Sequence, residues 1–239
     1  MSTLLFYKAP VALDRNAHKN LKLNRSSSMA FASEANSVPV AGFEFFVASR
    51  NYPIMFVKNA KDEYLPIALL SFHEKGHDLG DDWKDVYVPA FVRRYPFALG
   101  NDGVIVFDSE APHLQEEEGD ALFDDKGEAT DTLKEIVKFL QQADGGYKAT
   151  SAFSRALVEK ELLEPFKGEV KFTNTTIKLE HLYVINEKKL HESLNEAEVF
   201  DWFKKGWIAW SHAHLHSLSS LGLVAKRAGT KPKVEDATV

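Results

Sequence analysis

Three observations predict an α+β fold, with a mixed or antiparallel sheet in the first half and helices mainly in the second. Short β-branched and aromatic runs, bounded by turn residues, crowd the chain before residue 110. After residue 130 apolar residues recur at helical spacing. No internal repeat and no linker separates the two textures, so residues 1–228 read as one domain with a disordered tail at 229–239.

Taken in order, "NRSSSMAFASEANS" at 24–37 is small and polar and reads as a loop or mobile arm. Residues 40–49 suit a strand or a short helix, and "PIMFVK" is a clearer strand. Asn59–Glu63 marks a turn into the apolar run "YLPIALLSF" at 64–72. "KDVYVPAFVRRYPFAL" reads as a third strand and "GVIVFDS" at 103–109 as a fourth. The acidic stretch around "EEE" reads as a solvated loop.

Thr130 is suited to cap a helix whose Leu133, Ile136, Val137 and Leu140 share a face. Gly145–Gly146 should end it. A second helix is expected from Ser151 to Glu161, with Phe153, Ala156 and Leu157 inward. Two strands flank "TNTT", and helices follow Asn195 with a break at Gly206. The aromatics Trp202, Phe203, Trp207 and Trp210 read as the buried stripe of those helices.

The formal net charge of −6 and the lack of any long basic run argue against a nucleic-acid partner. The absence of cysteine excludes disulfides, a thiol nucleophile and thiolate metal ligands. No window holds the roughly 18 apolar residues a spanning helix needs, so no membrane insertion is expected. "MSTLLFYKAPVALDRN" lacks the basic and apolar regions of a signal peptide, so the expected location is cytoplasmic.

Chemistry-bearing patterns are few. "HEKGHDLG" at 73–80 matches H-E-x-x-H, which on a helix would pair His73 and His77 as metal ligands with Glu74 as base. Gly76 inside it and the density of turn formers argue for a solvated loop instead. In "WSHAHLHSL", a helix places His212 and His216 on one face and His214 on another, with one histidine in the core. The most pointed stretch is "YVPAFVRRYPFAL", where Arg93 and Arg94 sit among Tyr87, Phe91 and Tyr95. As a strand it sends the arginines to opposite faces. One guanidinium is then structural, and the other, Arg93 by preference, serves a peptide carboxylate or phosphate.

"YVPAFVRRYPFAL" resembles the diagnostic segment of the SapC family of bacterial proteins. "VPVAGFEFFVASRNYPIMFV", "LPIALLSF", "LFDDKGEATDTLKEIVKFL", "LYVINEKKLHESL" and "AHLHSLSSLGLV" resemble further blocks of that family in the same order. The family name implies a link to bacterial surface layers. Its peptide-transporter permease label does not fit a chain without a spanning segment. The resemblance implies no catalytic residue and no cofactor.

The expected function is therefore that of a soluble, non-catalytic accessory protein. It would bind a peptide or protein partner in a surface-layer, export or peptide-modification pathway, through Arg93, Arg94, Tyr87, Phe91 and Tyr95. The alternative is a metal-dependent enzyme, either a hydrolase at His73, Glu74 and His77 or an oxygenase using histidines from both clusters.

Overall fold

The computed structural model describes residues 4–25, 28–81, 83–100, 102–171 and 176–228. The tail expected at 229–239 and residues 173–175 of the "TNTT" turn lie outside those residues. The described chain is α+β, with its helices mostly in the second half.

The first elements are short strands, β1 (Pro10–Ala12), β2 (Lys22–Leu23) and β3 (Ser37–Pro39). The run at 40–49 becomes a 3-10 turn over Gly42–Glu44 and helix α1 (Phe45–Ala48). Strands β4 (Ile54–Lys58) and β5 (Tyr64–Leu69) follow, joined by the expected turn, whose Asn59 Oδ1 accepts from Lys61 and Glu63 N–H. After a long irregular segment come helix α2 (Ala90–Arg93) and strands β6 (Phe97–Leu99), β7 (Ile105–Asp108), β8 (Leu114–Gln115) and β9 (Asp120–Ala121). Helix α3 (Asp131–Glu159) precedes β10 (Leu163–Pro165), β11 (Glu169–Lys171), β12 (Thr176–Lys178) and β13 (Leu182–Ile185). The chain closes with helices α4 (Glu187–Ser193), α5 (Glu196–Lys204), α6 (Trp207–Ser217) and α7 (Leu221–Arg227).

Two sequence expectations are corrected. The arginine stretch is not one strand: its centre is α2, and only Phe97–Leu99 is extended within a sheet. Pro89 stands at the helix entrance, where a missing N–H costs nothing, and Pro96 disfavours helical geometry at Tyr95. One turn of helix fits between them, closed by Arg94 N–H to Ala90 O at 3.0 Å. The second correction is at Gly145–Gly146, where α3 continues without interruption for 29 residues. A Cβ on Gly146 would come within 2.3 Å of Phe43 Cε1, so the missing side chain admits an aromatic ring against the helix backbone. That close approach, not a helix end, is what the glycine provides.

The chain forms two compact units. The first comprises Met1–Ala32 and Ala90–Gly145, the second Ser33–Pro89 and Gly146–Val239. In the first, β7 is the centre of the antiparallel order β1-β7-β6, with Phe107 facing both Val11 and Phe97 in register. Strand β2 joins β8 and β9. The start of α3 lays Leu133 and Leu140 on Phe97, Phe107 and Leu122. Thr130 caps it as expected, accepting from Leu133 N–H at 3.4 Å while donating to Ala121 O at 2.7 Å.

In the second unit a five-stranded antiparallel sheet runs β10-β13-β4-β5-β3. Ile54, Met55 and Phe56 are all buried, so β4 is covered on both faces and shows a continuous apolar run. Phe153 of α3 is fully buried among Phe45, Phe56, Trp202, Trp207 and Trp210, with ring centroids 5.6–6.4 Å away. Asn195 starts α5 with a capping box, accepting from Glu198 N–H while Glu198 accepts from Asn195 N–H. Gly206, at φ 75°, makes the expected break before α6.

Candidate functional site

On a single helical turn, adjacent side chains diverge by about 100°, not 180°. Arg93 is exposed, its guanidinium 5.1 Å from the Phe139 ring centroid. Arg94 is only 8% exposed and stacks on Phe91 at 4.1 Å, the i, i+3 neighbour that a helix brings beneath it. Phe91 and Tyr95 are buried with it. The two arginines therefore differ in environment, one open to solvent and one packed. The alternation that was expected to separate them is not the cause.

The burial of Tyr95 reveals a cluster that the sequence reading missed. Asp108 is fully buried at the end of β7. Its carboxylate accepts from Lys8 N–H at 3.1 Å, Ala9 N–H at 2.9 Å, Tyr95 O–H at 2.9 Å and Glu110 N–H at 3.3 Å. Burial alone would raise its pKa. The donors from Ala9, Lys8, Tyr95 and Glu110 outweigh that and hold it below the usual carboxylate range. Burial, reinforced by the same bond, pushes the Tyr95 phenol up. Phe31 stacks on Tyr95 at 4.0 Å, while Tyr7 and His113 meet it edge-on at 5.3 and 5.2 Å. Burial lowers the pKa of His113. The legible signal was an aspartate closing the β-branched, apolar run "GVIVFDS".

Tyr87 belongs to the second unit and is a structural hub there. Its O–H donates to the buried Glu44 at 2.8 Å, its N–H donates to Asn51 Oδ1 at 2.9 Å, and its carbonyl accepts from Tyr52 O–H at 2.7 Å. Glu44 also accepts from Ala41 N–H at 3.0 Å. Arg227 donates to Asn51 O at 2.9 Å and lies over the Tyr52 ring at 5.4 Å. Glu44 could have been suspected as a charge inside the apolar run "GFEFFV". Of the five residues expected to form a ligand site, Phe91, Arg93, Arg94 and Tyr95 lie in the first unit and Tyr87 in the second.

The H-E-x-x-H segment is a series of bends, so His73 and His77 are not presented as an i, i+4 pair on a helix. Among the described residues no three metal-ligating side chains cluster. Asn36 Nδ2 donates to the carbonyls of His73 and Glu74 at 3.0 Å each, and His73 Nε2 lies 3.0 Å from Asp78 Oδ2. His77 packs edge-on against buried Trp83 at 5.0 Å. His73→Ala should accordingly change stability by no more than about 0.5 kcal/mol, the range of ordinary surface substitutions. His77→Ala should cost about 1 kcal/mol, because it loses an aromatic contact. Thermal unfolding of both variants checks this, and the reverse order would overturn the packing role of His77.

In α6, His214 is the core histidine and His212 and His216 are exposed. His214 Nε2 accepts from Ile185 N–H at 3.1 Å, and burial pushes its pKa down to about 3. It is thus neutral and ties α6 to β13. The expected buried aromatic stripe holds for Trp202, which is 4% exposed. Phe203 instead is 72% exposed, since a residue adjacent to Trp202 cannot share its helical face. With Phe200 at 60% and Val199 at 45% exposure, it gives α5 an apolar outer face. Lys204 Nζ lies over the Phe200 ring at 4.4 Å. No helix among the described residues is long and apolar enough to cross a membrane.

A protein-family model described as SapC matches residues 13–223. No curated protein and no solved structure matches the chain.

Proposed function

The chain belongs to the SapC family, and from that premise we propose that it is a non-catalytic accessory protein that binds a peptide or protein partner in the cytoplasm. The partner serves a bacterial surface-layer, export or peptide-modification pathway, the setting that the family name suggests. The observation that supports binding is the outer face of α5, where Val199, Phe200 and Phe203 are exposed together at i, i+1 and i+4. Exposed aromatic groups at helical spacing are costly to leave in water and are favoured where a partner covers them. Lys204, over Phe200, has no carboxylate partner among the described residues. The matching partner surface is therefore apolar with an acidic group at its edge.

On the first unit we assign Arg93 a second recognition role, because the residue is exposed and its guanidinium lies over the Phe139 ring. Arg94 and its aromatic neighbours then support the fold around it.

Capture from the native host with tagged full-length protein tests this. A Phe200→Ser, Phe203→Ser double variant should lose most of a specifically retained partner while its melting temperature stays within a few degrees of wild type. Arg93→Ala should weaken capture by less and leave stability unchanged. Equal retention by wild type and the double variant would remove the basis of the proposal.

A further inference from the structure

The last turns of α3 carry a second feature of the same unit. Two adjoining grooves, of about 260 and 300 Å³, share Arg155 and Glu159 in their linings. The first is bounded by the β4–β5 turn and contains Tyr64 and Val158. The second lies between α3 and α5 and contains Trp202 and Trp207.

Most charges along these grooves are paired. Lys160 binds Glu198, Lys205 binds Asp201 at 2.6 Å, and Asp62 binds Lys58 at 3.0 Å. Arg155 and Glu159 stand one turn apart on α3. Among the described residues neither has a hydrogen bond or ion pair from its side chain, even to the other. Beside them Ser154, 3% exposed and part of the first groove, has a hydroxyl with no hydrogen-bond partner. Arg155 is thus exposed and uncommitted between the Tyr64 ring of the first groove and the Trp207 ring of the second.

From this geometry we infer that the groove across α3 binds an extended segment of a partner peptide whose carboxylate is taken by Arg155. The planar guanidinium fork offers two parallel donors to a carboxylate. The flanking apolar side chains of the segment would lie on Tyr64 and Val158 in one direction and on the Trp207 ring in the other. Glu159 is placed to accept a peptide N–H or an ammonium. The inference rests on the binding-protein reading above, but uses a surface distinct from the outer face of α5: Trp202 and Asp201 line the groove, whereas Phe200 and Phe203 do not.

The chain has four tryptophans, so indole N–H resonances of the isotope-labelled full-length protein report the groove directly. The probe is N-acetyl-Leu-Leu-Glu with free carboxylates, and the control is the neutral N-acetyl-Leu-Leu-Gln-amide. Titration with the probe should shift the Trp202 and Trp207 signals and leave Trp83 unmoved. The control should bind about tenfold more weakly, as should the probe to Arg155→Gln at unchanged melting temperature, since a charge-assisted hydrogen bond is lost in either case. No shift at millimolar probe, or equal affinity in Arg155→Gln, overturns the groove assignment. Partner capture on the same samples separates the two ideas. Capture that depends on Phe200 and Phe203 while the probe fails to bind overturns the groove alone. Capture unaffected by the α5 variant overturns the binding-protein reading.

Discussion

Phe153→Ala should lower the unfolding free energy of the chain by about 3–5 kcal/mol, the range for removing a large aromatic from a packed core. Phe153 is fully buried, and its ring meets Phe45, Phe56, Trp202, Trp207 and Trp210 at once. Those partners come from α1, β4, α5 and α6, so the cavity left behind cannot be closed by moving one element. Phe153→Leu fills most of the volume and should cost about 1.5 kcal/mol or less. Urea unfolding followed by tryptophan emission measures both, because three of the ring's neighbours are tryptophans. A loss below about 1 kcal/mol for the alanine variant would show that the surrounding rings collapse into the space, contrary to tight packing.

Asp108→Ala should be of similar size and should change the acid limb of the stability curve. The carboxylate satisfies Tyr95 O–H and the N–H groups of Lys8, Ala9 and Glu110. Each buried donor left unpaired costs roughly 1–3 kcal/mol, so a total of about 3 kcal/mol or more is expected. The pKa of Asp108 is lower in the folded chain than in the unfolded one. Its contribution is therefore complete above the ordinary carboxylate range and is lost as pH falls through the depressed folded value. Asp108→Asn should flatten that part of the pH dependence, because the amide does not titrate. If wild type and Asp108→Asn lost stability in parallel between neutral and acidic pH, the carboxylate would not be the group that couples folding to protons. His214 acts in the same direction, since a histidine held neutral by burial loses its stabilising state as acid charges it.

How much could be read in advance follows the range of the interactions. The strand at "GVIVFDS", the turn at Asn59–Glu63, the cap at Thr130, the inward faces of α3, the break at Gly206 and the burial of one histidine in α6 all rest on residues within a few positions of each other. Period, capping and turn chemistry act at that range, so these features were legible. The family resemblance, carried by whole blocks such as "YVPAFVRRYPFAL", was legible for the same reason: it is a property of the string.

Other features depended on partners far along the chain. Gly146 looked like a helix end, and it became a helix interior because Phe43, 103 positions earlier, lies against it. Arg94 became a packed cation because one turn of helix between Pro89 and Pro96 set it over Phe91. Asp108 acquired its role from Lys8 and Ala9, and Tyr87 from Glu44, Asn51 and Tyr52. Arg155 and Glu159 gained interest only when α5 and the β4–β5 turn closed around α3. By itself the sequence determined the α+β class, the positions of β4, β5, β7 and the start of α3, and the family. The tertiary structure decided which polar groups are buried and satisfied and which are left facing a groove, because hydrogen bonds and desolvation depend on distance in space, and separation along the chain does not encode it.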